Sequence, residues 1–229
     1  MIKAATNTDT TFITNEDERT LLDRFRVLIK DTQFFDVLVG YFYTSGFYAL
    51  YESLETTEKV RILIGINTNK QTSSMIRQAQ YTAIPIQGSL DFSHAEAKEI
   101  FSNSVANEME NSADDIKVER GVNKFMEWIQ SGKLEIKAYP SENIHAKLYI
   151  MTFVEEDKDT GRVITGSSNF TQAGLIENLE FNVELKDSSD YEFALTKFNE
   201  LWVNAVDVKD KYVETIQNRT WLNNTITPY

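Results

Sequence analysis

The sequence contains no cysteine and only two histidines among its 229 residues. Without cysteine, disulfide bonds, thiolate metal sites and a cysteine nucleophile are excluded. Two histidines are too few for a histidine-rich metal centre. Three prolines and nine glycines are too few for a long disordered or collagen-like segment. We therefore expect an ordinary globular protein whose chemistry does not depend on thiols.

Long apolar segments are also missing. No apolar run approaches the roughly 18 residues needed to span a membrane, and the first residues do not have the pattern of a signal peptide. We therefore expect a soluble, cytoplasmic protein with no membrane partner. The length suits one large domain or two small ones, and either can bury a core.

Acidic residues outnumber basic ones by 35 to 23, which gives a formal net charge of −12. Such a balance argues against a broad basic surface for nucleic acid. The charge is unevenly spread, because residues 91–119 hold 8 acids and 2 bases whereas residues 120–154 hold 3 acids and 5 bases. A local phosphate-binding site therefore remains compatible with the sequence.

Hydrophobic patterning indicates an α/β fold. Apolar runs at 35–43 and 60–66, with a short helix between them, predict a parallel pair of buried strands. Residues 145–153 and 162–165 have the pattern of a hairpin. Residues 179–185 alternate between apolar and polar side chains, and we expect the polar Asn182 and Glu184 to face solvent.

A histidine and a lysine lie two positions apart on the first strand of this hairpin. Because residues i and i+2 of a strand point to the same side, His145 and Lys147 share a face. A cation beside a histidine suits an anionic ligand such as phosphate. The pair is a weak signal by itself, and a strand-end histidine beside a lysine that reaches towards solvent is the competing interpretation.

Polar residues follow the second strand of the hairpin, in the segment Gly166–Phe170. If this segment is extended, Ser167 and Asn169 lie on one side and offer the neutral donors that a phosphoryl oxygen needs. A polar turn is the competing interpretation of the same residues. Glu180 follows Asn169 by eleven positions, on the polar face of the alternating strand.

Together these residues resemble the phospholipase D superfamily. Its motif is His-x-Lys, four residues, Asp, then Gly-Ser-x-Asn on the next strand and an acid about eleven residues further on. The flank from Asn169 to Leu175 and the early segment Gly40–Gly46 are similar to the prokaryotic nuclease branch of that superfamily. The motif's Asp position falls on Thr152. The resemblance implies a mixed β-sheet with helices on both faces and one motif per chain.

The resemblance also implies a chemistry. The protein is expected to be a metal-independent phosphodiesterase, a nuclease that acts on DNA through a phosphohistidine and needs no cofactor. His145 is then nucleophile or acid, Lys147 and Asn169 bind the phosphate, Ser167 assists, and Glu180 orients the imidazole. The Thr152→Asp variant is expected to keep activity.

Such chemistry needs a second histidine. His94 lies on an acidic helix without the accompanying Ser and Asn, and we interpret it as a surface residue. A homodimer that shares one active site is therefore expected.

The resemblance suggests a domain division. We expect a nuclease-like domain over 1–206, with a helical insertion at about 91–131, and a helical extension over 207–229. The final segment resembles the junction between such a domain and a bacterial superfamily-two helicase. The chain is therefore expected to be part of a longer helicase or a restriction or defence protein.

Three alternatives stay open. An altered motif is also compatible with a non-catalytic DNA-binding or targeting module of a helicase. Glu135 and Lys137, with Asp114 and Asp115 upstream, have residue types found in Mg²⁺-dependent restriction-type nucleases. A phospholipase is the third alternative, but the sequence shows no apolar segment that would face a membrane.

Overall fold

The computed structural model describes residues 11–16, 19–40, 42, 44–66, 95, 98–99, 102–103, 116–140, 144–155, 159–210 and 213–214. Eight strands form one sheet: β1 Phe12–Ile13, β2 Thr32–Val39, β3 Lys59–Ile66, β4 Leu134–Pro140, β5 Lys147–Phe153, β6 Gly161–Gly166, β7 Asn182–Leu185 and β8 Val206–Asp207. The helices are α1 Leu21–Leu28, α2 Thr44–Leu50, α3 Ile116–Ser131 and α4 Ser188–Val203, with shorter helical turns at Ile29–Asp31, Ser53–Thr56 and Ala173–Glu177.

The sheet is mixed, in the order β1-β7-β6-β5-β2-β3-β4-β8. The central strands β2, β3 and β4 are parallel, and every other neighbouring pair is antiparallel. The predicted strand–helix–strand unit is β2–α2–β3, and the predicted hairpin is β5–β6. Both predictions are confirmed.

Helices cover both faces of the sheet. On one face α1, α2 and α3 pack over the sheet around Phe25, Phe47 and Phe125, all fully buried. On the other face α4 places Phe198 and Trp202 against apolar residues of the central strands. The helix α1 starts where Thr20 and Asp23 cap each other reciprocally. This arrangement confirms the predicted α/β fold with helices on both faces.

One sequence expectation is wrong: the polar face of the alternating strand is buried. Asn182 and Glu184 are 1% and 2% exposed, whereas the apolar Leu179 and Phe181 are 66% and 64% exposed. The reason is the position of β7 beside the edge strand β1. There the polar side chains face α1, where Arg24 donates two hydrogen bonds to Glu184.

The C-terminal part of the described chain joins the sheet. The strand β8 pairs with β4, and Val208 is fully buried in the core around α1–α3. Most of the predicted extension 207–229 lies outside the described residues, as does the predicted insertion before α3, apart from five helical positions. Among the helices described here, none has the length and apolar character to cross a membrane.

Candidate active site

Three chain segments meet at one end of the sheet. The strand β5 begins there, β6 ends there and β7 begins there, because each is antiparallel to its neighbour. The register pairs Leu148 with Thr165 and Gly166 with Asn182. The predicted residues on these segments, His145, Lys147, Ser167, Asn169 and Glu180, therefore share one end of the sheet. The C-terminal end of β2 lies there too, since Val39 pairs with Lys147.

Glycines allow the chain to approach closely at this end. A Cβ atom on Gly65, near the end of β3, would lie 2.9 Å from the Ile144 carbonyl oxygen, so a larger residue would displace the segment that carries His145. A Cβ atom on Gly46 would lie 2.5 Å from the carbonyl oxygen of Phe170. The early segment singled out in the sequence thus packs directly against the segment that carries Asn169.

The predicted His–Lys pair is in direct contact. Lys147 is buried, and its Nζ lies 3.0 Å from Nδ1 of His145 and donates to the His145 carbonyl oxygen at 3.0 Å. An ammonium group has donors only, so Nδ1 accepts this hydrogen bond and a neutral imidazole carries its proton on Nε2. In this arrangement the Nε2 atom of His145 carries a hydrogen and has no free lone pair. To act as a nucleophile through Nε2, it must hold its proton on Nδ1 instead.

Ser167 and Glu180 are also brought together. The Ser167 hydroxyl donates a short hydrogen bond to Oε2 of Glu180 and accepts one from the Phe181 amide at 2.9 Å. Asn178 Nδ2 donates to the other oxygen of Glu180 at 3.4 Å. The hydroxyl has a single proton, so Ser167 must release Glu180 before it can donate to a phosphoryl oxygen.

The side-chain oxygen of Asn169 is buried and has no hydrogen-bond partner among the described residues. Buried polar atoms usually have a partner, so this amide has unused hydrogen-bonding capacity at the site. A half-turn of the amide would present its two N–H donors in the same place. In that second orientation the amide can donate to the oxygens of a phosphate.

The one departure from the motif lies outside this site. Thr152 is five residues along β5 from Lys147, which places it about 16 Å away at the strand's rise per residue. Its hydroxyl is 2.8 Å from the phenol oxygen of Tyr191 in α4. Loss of the motif's Asp therefore changes a contact with a helix rather than the chemistry of the site.

Sequence reasoning missed three buried residues behind the site: Tyr149, Ser168 and Asn182. Ser168 occupies the variable position of Gly-Ser-x-Asn, so the motif does not single it out. Tyr149 is one of several apolar residues in a strand, and the pattern gives no reason to choose it. Asn182 stood among polar residues that were expected to face solvent. The alternating pattern did place Asn182 on the same side as Glu180, and this was the one feature of the sequence that linked Asn182 to the site.

Of the four residues of the alternative metal site, the structure describes Glu135 and Lys137, and both have other partners. Glu135 Oε1 is 2.5 Å from Nζ of Lys59, and Lys137 donates to the carbonyl oxygen of Trp202 at 3.1 Å. Asp114 and Asp115 lie outside the described residues. Among the side chains that the structure describes, no cluster of three or more histidines and acids could hold a metal ion.

Comparison with known proteins defines the class. Residues 27–202 match the sequence family described as "Cardiolipin synthase, PLD-like domain". This match spans well over half of the chain and includes all five predicted site residues. The chain belongs to the phospholipase D superfamily, as its motif predicted.

Solved structures with similar folds were also found. NucT from Helicobacter pylori is 11% identical with a TM-score of 0.42, over 82% of this chain and 90% of that one. The phospholipase D family member Nuc from Salmonella typhimurium is 18% identical with a TM-score of 0.40, over 81% and 88%. The archaeal chromatin protein TrmBL2 is 13% identical with a TM-score of 0.42, and this chain spans 57% of its length. No curated protein matches the sequence.

Proposed function

We propose that this protein is a metal-independent nuclease that hydrolyses phosphodiester bonds in DNA. The observation that carries the proposal is the grouping of His145, Lys147, Asn169 and the Ser167–Glu180 pair at one end of the sheet. Imidazole, ammonium, amide and hydroxyl groups can bind and transfer a phosphoryl group without a metal ion. Membership of the phospholipase D superfamily supports the same chemistry.

The reaction has two displacement steps. In the first, Nε2 of one His145 attacks phosphorus, the bond to the leaving oxygen breaks, and that oxygen takes a proton from a second histidine. In the second, the second histidine accepts a proton from water. The water oxygen then attacks phosphorus and the P–N bond breaks. The products are a phosphomonoester and an alcohol, and both histidines are restored.

The remaining residues bind and orient. Lys147 and Asn169 stabilise the negative charge that develops on the phosphoryl oxygens. Glu180 accepts a hydrogen bond from the Nδ1–H group of the nucleophilic imidazole, which keeps Nε2 unprotonated and free to attack. For this to happen the imidazole must leave the Lys147 ammonium, and substrate phosphate supplies Lys147 with a replacement partner.

The second histidine comes from a second copy of the chain. His145 is the one histidine among the described residues, and the sequence places His94 in an acidic segment without the accompanying Ser and Asn. A two-fold axis beside this end would place the His145 residues of two copies on opposite sides of one phosphorus atom. The two Lys147 side chains would then concentrate positive charge in an otherwise acidic particle.

An exposed apolar surface next to the site supports this dimer. Leu179 and Phe181 flank Glu180 in sequence, and both side chains are about two-thirds exposed. Phe12, 65% exposed, lies on the neighbouring strand and pairs with Val183. Exposed apolar groups of this kind commonly mark contact surfaces. We assign these three residues to the two-fold interface.

A cleavage assay in EDTA tests the proposal. Wild-type protein is expected to cut DNA in EDTA, and His145→Ala is expected to lose the activity because it removes the nucleophile. Thr152→Ala is the matched control, since Thr152 lies at the far end of β5, the strand that His145 precedes. Cleavage that disappears in EDTA and returns with Mg²⁺ would contradict the proposal.

A mixing experiment tests the shared site. In mixtures of wild type with His145→Ala, activity is expected to fall more steeply than by dilution, because heterodimers hold one histidine only. A linear fall would refute the shared site. The helicase or defence context and the cytoplasmic location stay predictions from the sequence.

A further inference from the structure

The loop between β6 and the helical turn at Ala173–Glu177 is anchored through its middle residue. Ser168 is fully buried, whereas Ser167 is exposed and Asn169 is half-buried. The two outer residues belong to the candidate site, and the central residue points into the protein. The positions of both outer side chains therefore depend on what holds Ser168.

Two buried side chains hold Ser168. The Tyr149 hydroxyl donates to the Ser168 carbonyl oxygen at 2.8 Å. Asn182 accepts a hydrogen bond from the Ser168 amide at 3.3 Å and donates to the Ser168 hydroxyl at 2.8 Å. The backbone donor, the backbone acceptor and the side chain of Ser168 are thus all engaged. None of these contacts involves solvent-exposed groups.

Tyr149 links this loop to the strand that carries Lys147. The two residues are two positions apart on β5, and both side chains lie on the face of the sheet covered by α1. The phenol ring is fixed by edge contacts with Phe25, at 4.9 Å between centroids. A rigid ring therefore sets the distance between the strand with the cation and the loop with the amide of Asn169.

The phenol is a hydrogen-bond donor throughout the working range of pH. Burial raises the pKa of Tyr149 well above its usual value, and the negative charge of Glu180 raises it further. The hydroxyl therefore stays protonated, and its link to Ser168 does not titrate.

We propose that Tyr149 is a positioning residue, which holds Ser167 and Asn169 at the correct distance from His145 and Lys147 through its hydrogen bond to Ser168. This proposal rests on the proposed phosphodiesterase function. Tyr149 itself touches no substrate, since it is fully buried. Tyr149 acts only by fixing where Ser167 and Asn169 lie. Such positioning matters because a misplacement of about 1 Å at a catalytic group can lower a rate by about a hundredfold.

The test removes one oxygen atom. Tyr149→Phe keeps the ring and its packing but leaves the Ser168 carbonyl without its donor. We expect kcat/KM for a small chromogenic phosphodiester to fall about tenfold, through a lower kcat and a higher KM. Inhibition by inorganic phosphate is expected to weaken about as much, because Asn169 and Ser167 contact the phosphate.

The chain offers a matched control in Tyr191→Phe. Tyr191 is also buried, and its hydroxyl also makes a hydrogen bond of 2.8 Å to a residue of β5, but at the far end of the strand. Both variants lose one buried phenol hydrogen bond, so their melting temperatures are expected to fall by similar amounts. The control is expected to keep the kcat/KM of the wild type.

The experiment distinguishes a failure of the proposed function from a failure of the positioning role. An inactive wild type would contradict the proposed function itself. An active wild type with equal kcat/KM in the two variants, whether lowered or not, would overturn the positioning role. If Tyr149→Phe is unfolded at the assay temperature, both variants are compared at a lower temperature at which both are folded. The same difference between them is expected there, and equal kcat/KM values would overturn the positioning role.

Discussion

Glu184→Gln is expected to destabilise the protein while leaving its chemistry intact. The Glu184 side chain is 1% exposed, and Arg24 donates to its two carboxylate oxygens at 2.6 and 2.7 Å. A second guanidinium, that of Arg162, lies 3.5 Å from the same carboxylate. The change to glutamine removes the negative charge that both arginines share.

The expected loss in the free energy of unfolding depends on how deeply Arg24 and Arg162 are buried. The side chains of Arg24 and Arg162 are 28% and 14% exposed, so water replaces the lost charge only in part. Removal of one partner of a buried pair lowers the free energy of unfolding by about 3 kcal/mol or more. Since glutamine keeps one acceptor oxygen, we expect about 3 kcal/mol. For a chain of this length this corresponds to a melting temperature lower by about 6 to 12 °C.

The assay compares Glu184→Gln with Glu180→Gln. Thermal unfolding followed by circular dichroism is expected to show the large loss for Glu184→Gln only, because Glu180 is partly exposed. Cleavage measured well below both melting temperatures is expected to show the reverse, with activity lost in Glu180→Gln and kept in Glu184→Gln. Equal melting temperatures, or a folded Glu184→Gln variant without activity, would refute the reasoning.

Three further predictions concern other parts of the molecule. Thr152→Asp is expected to cleave DNA within about threefold of the wild-type rate, because the residue contacts Tyr191 about 16 Å from Lys147; a complete loss in a folded variant would contradict this placement. Phe181→Ser is expected to shift sedimentation towards the monomer and to change the free energy of unfolding by less than about 0.5 kcal/mol, since the ring is 64% exposed. Gly65→Val is expected to lower both cleavage and the melting temperature, because its side chain would meet Ile144 beside His145.

Local patterns were sufficient to predict the centre of the sheet and the meeting of the motif residues at one of its ends. The apolar runs of β2 and β3 are buried on both faces, so their sequences carry a signal that does not depend on partners. His145 and Lys147 lie at the start of one hairpin strand and Asn169 follows the end of the other, and antiparallel pairing brings these two strand ends to the same end of the sheet. His145, Lys147 and Asn169 could therefore be grouped from sequence alone.

Which face of β7 is buried could not be predicted in the same way. Its alternation is perfect, but the polar side is buried because Arg24, from a helix distant in sequence, supplies the partner of Glu184. Periodicity shows which residues share a face and does not show what covers that face. The role of Tyr149 was hidden for a similar reason, since its partner Ser168 is nineteen residues away.

The proposed mechanism requires a covalent bond between His145 and phosphorus, and this intermediate can be trapped. Wild-type protein would be mixed with DNA in EDTA, quenched at alkaline pH during turnover and digested for mass spectrometry. We expect an acid-labile adduct in which the peptide that contains His145 is joined to a DNA fragment through its phosphoryl group, and we expect this adduct to be absent from the His145→Ala variant. Cleavage in EDTA without any adduct on that peptide, or an adduct on another residue, would contradict it.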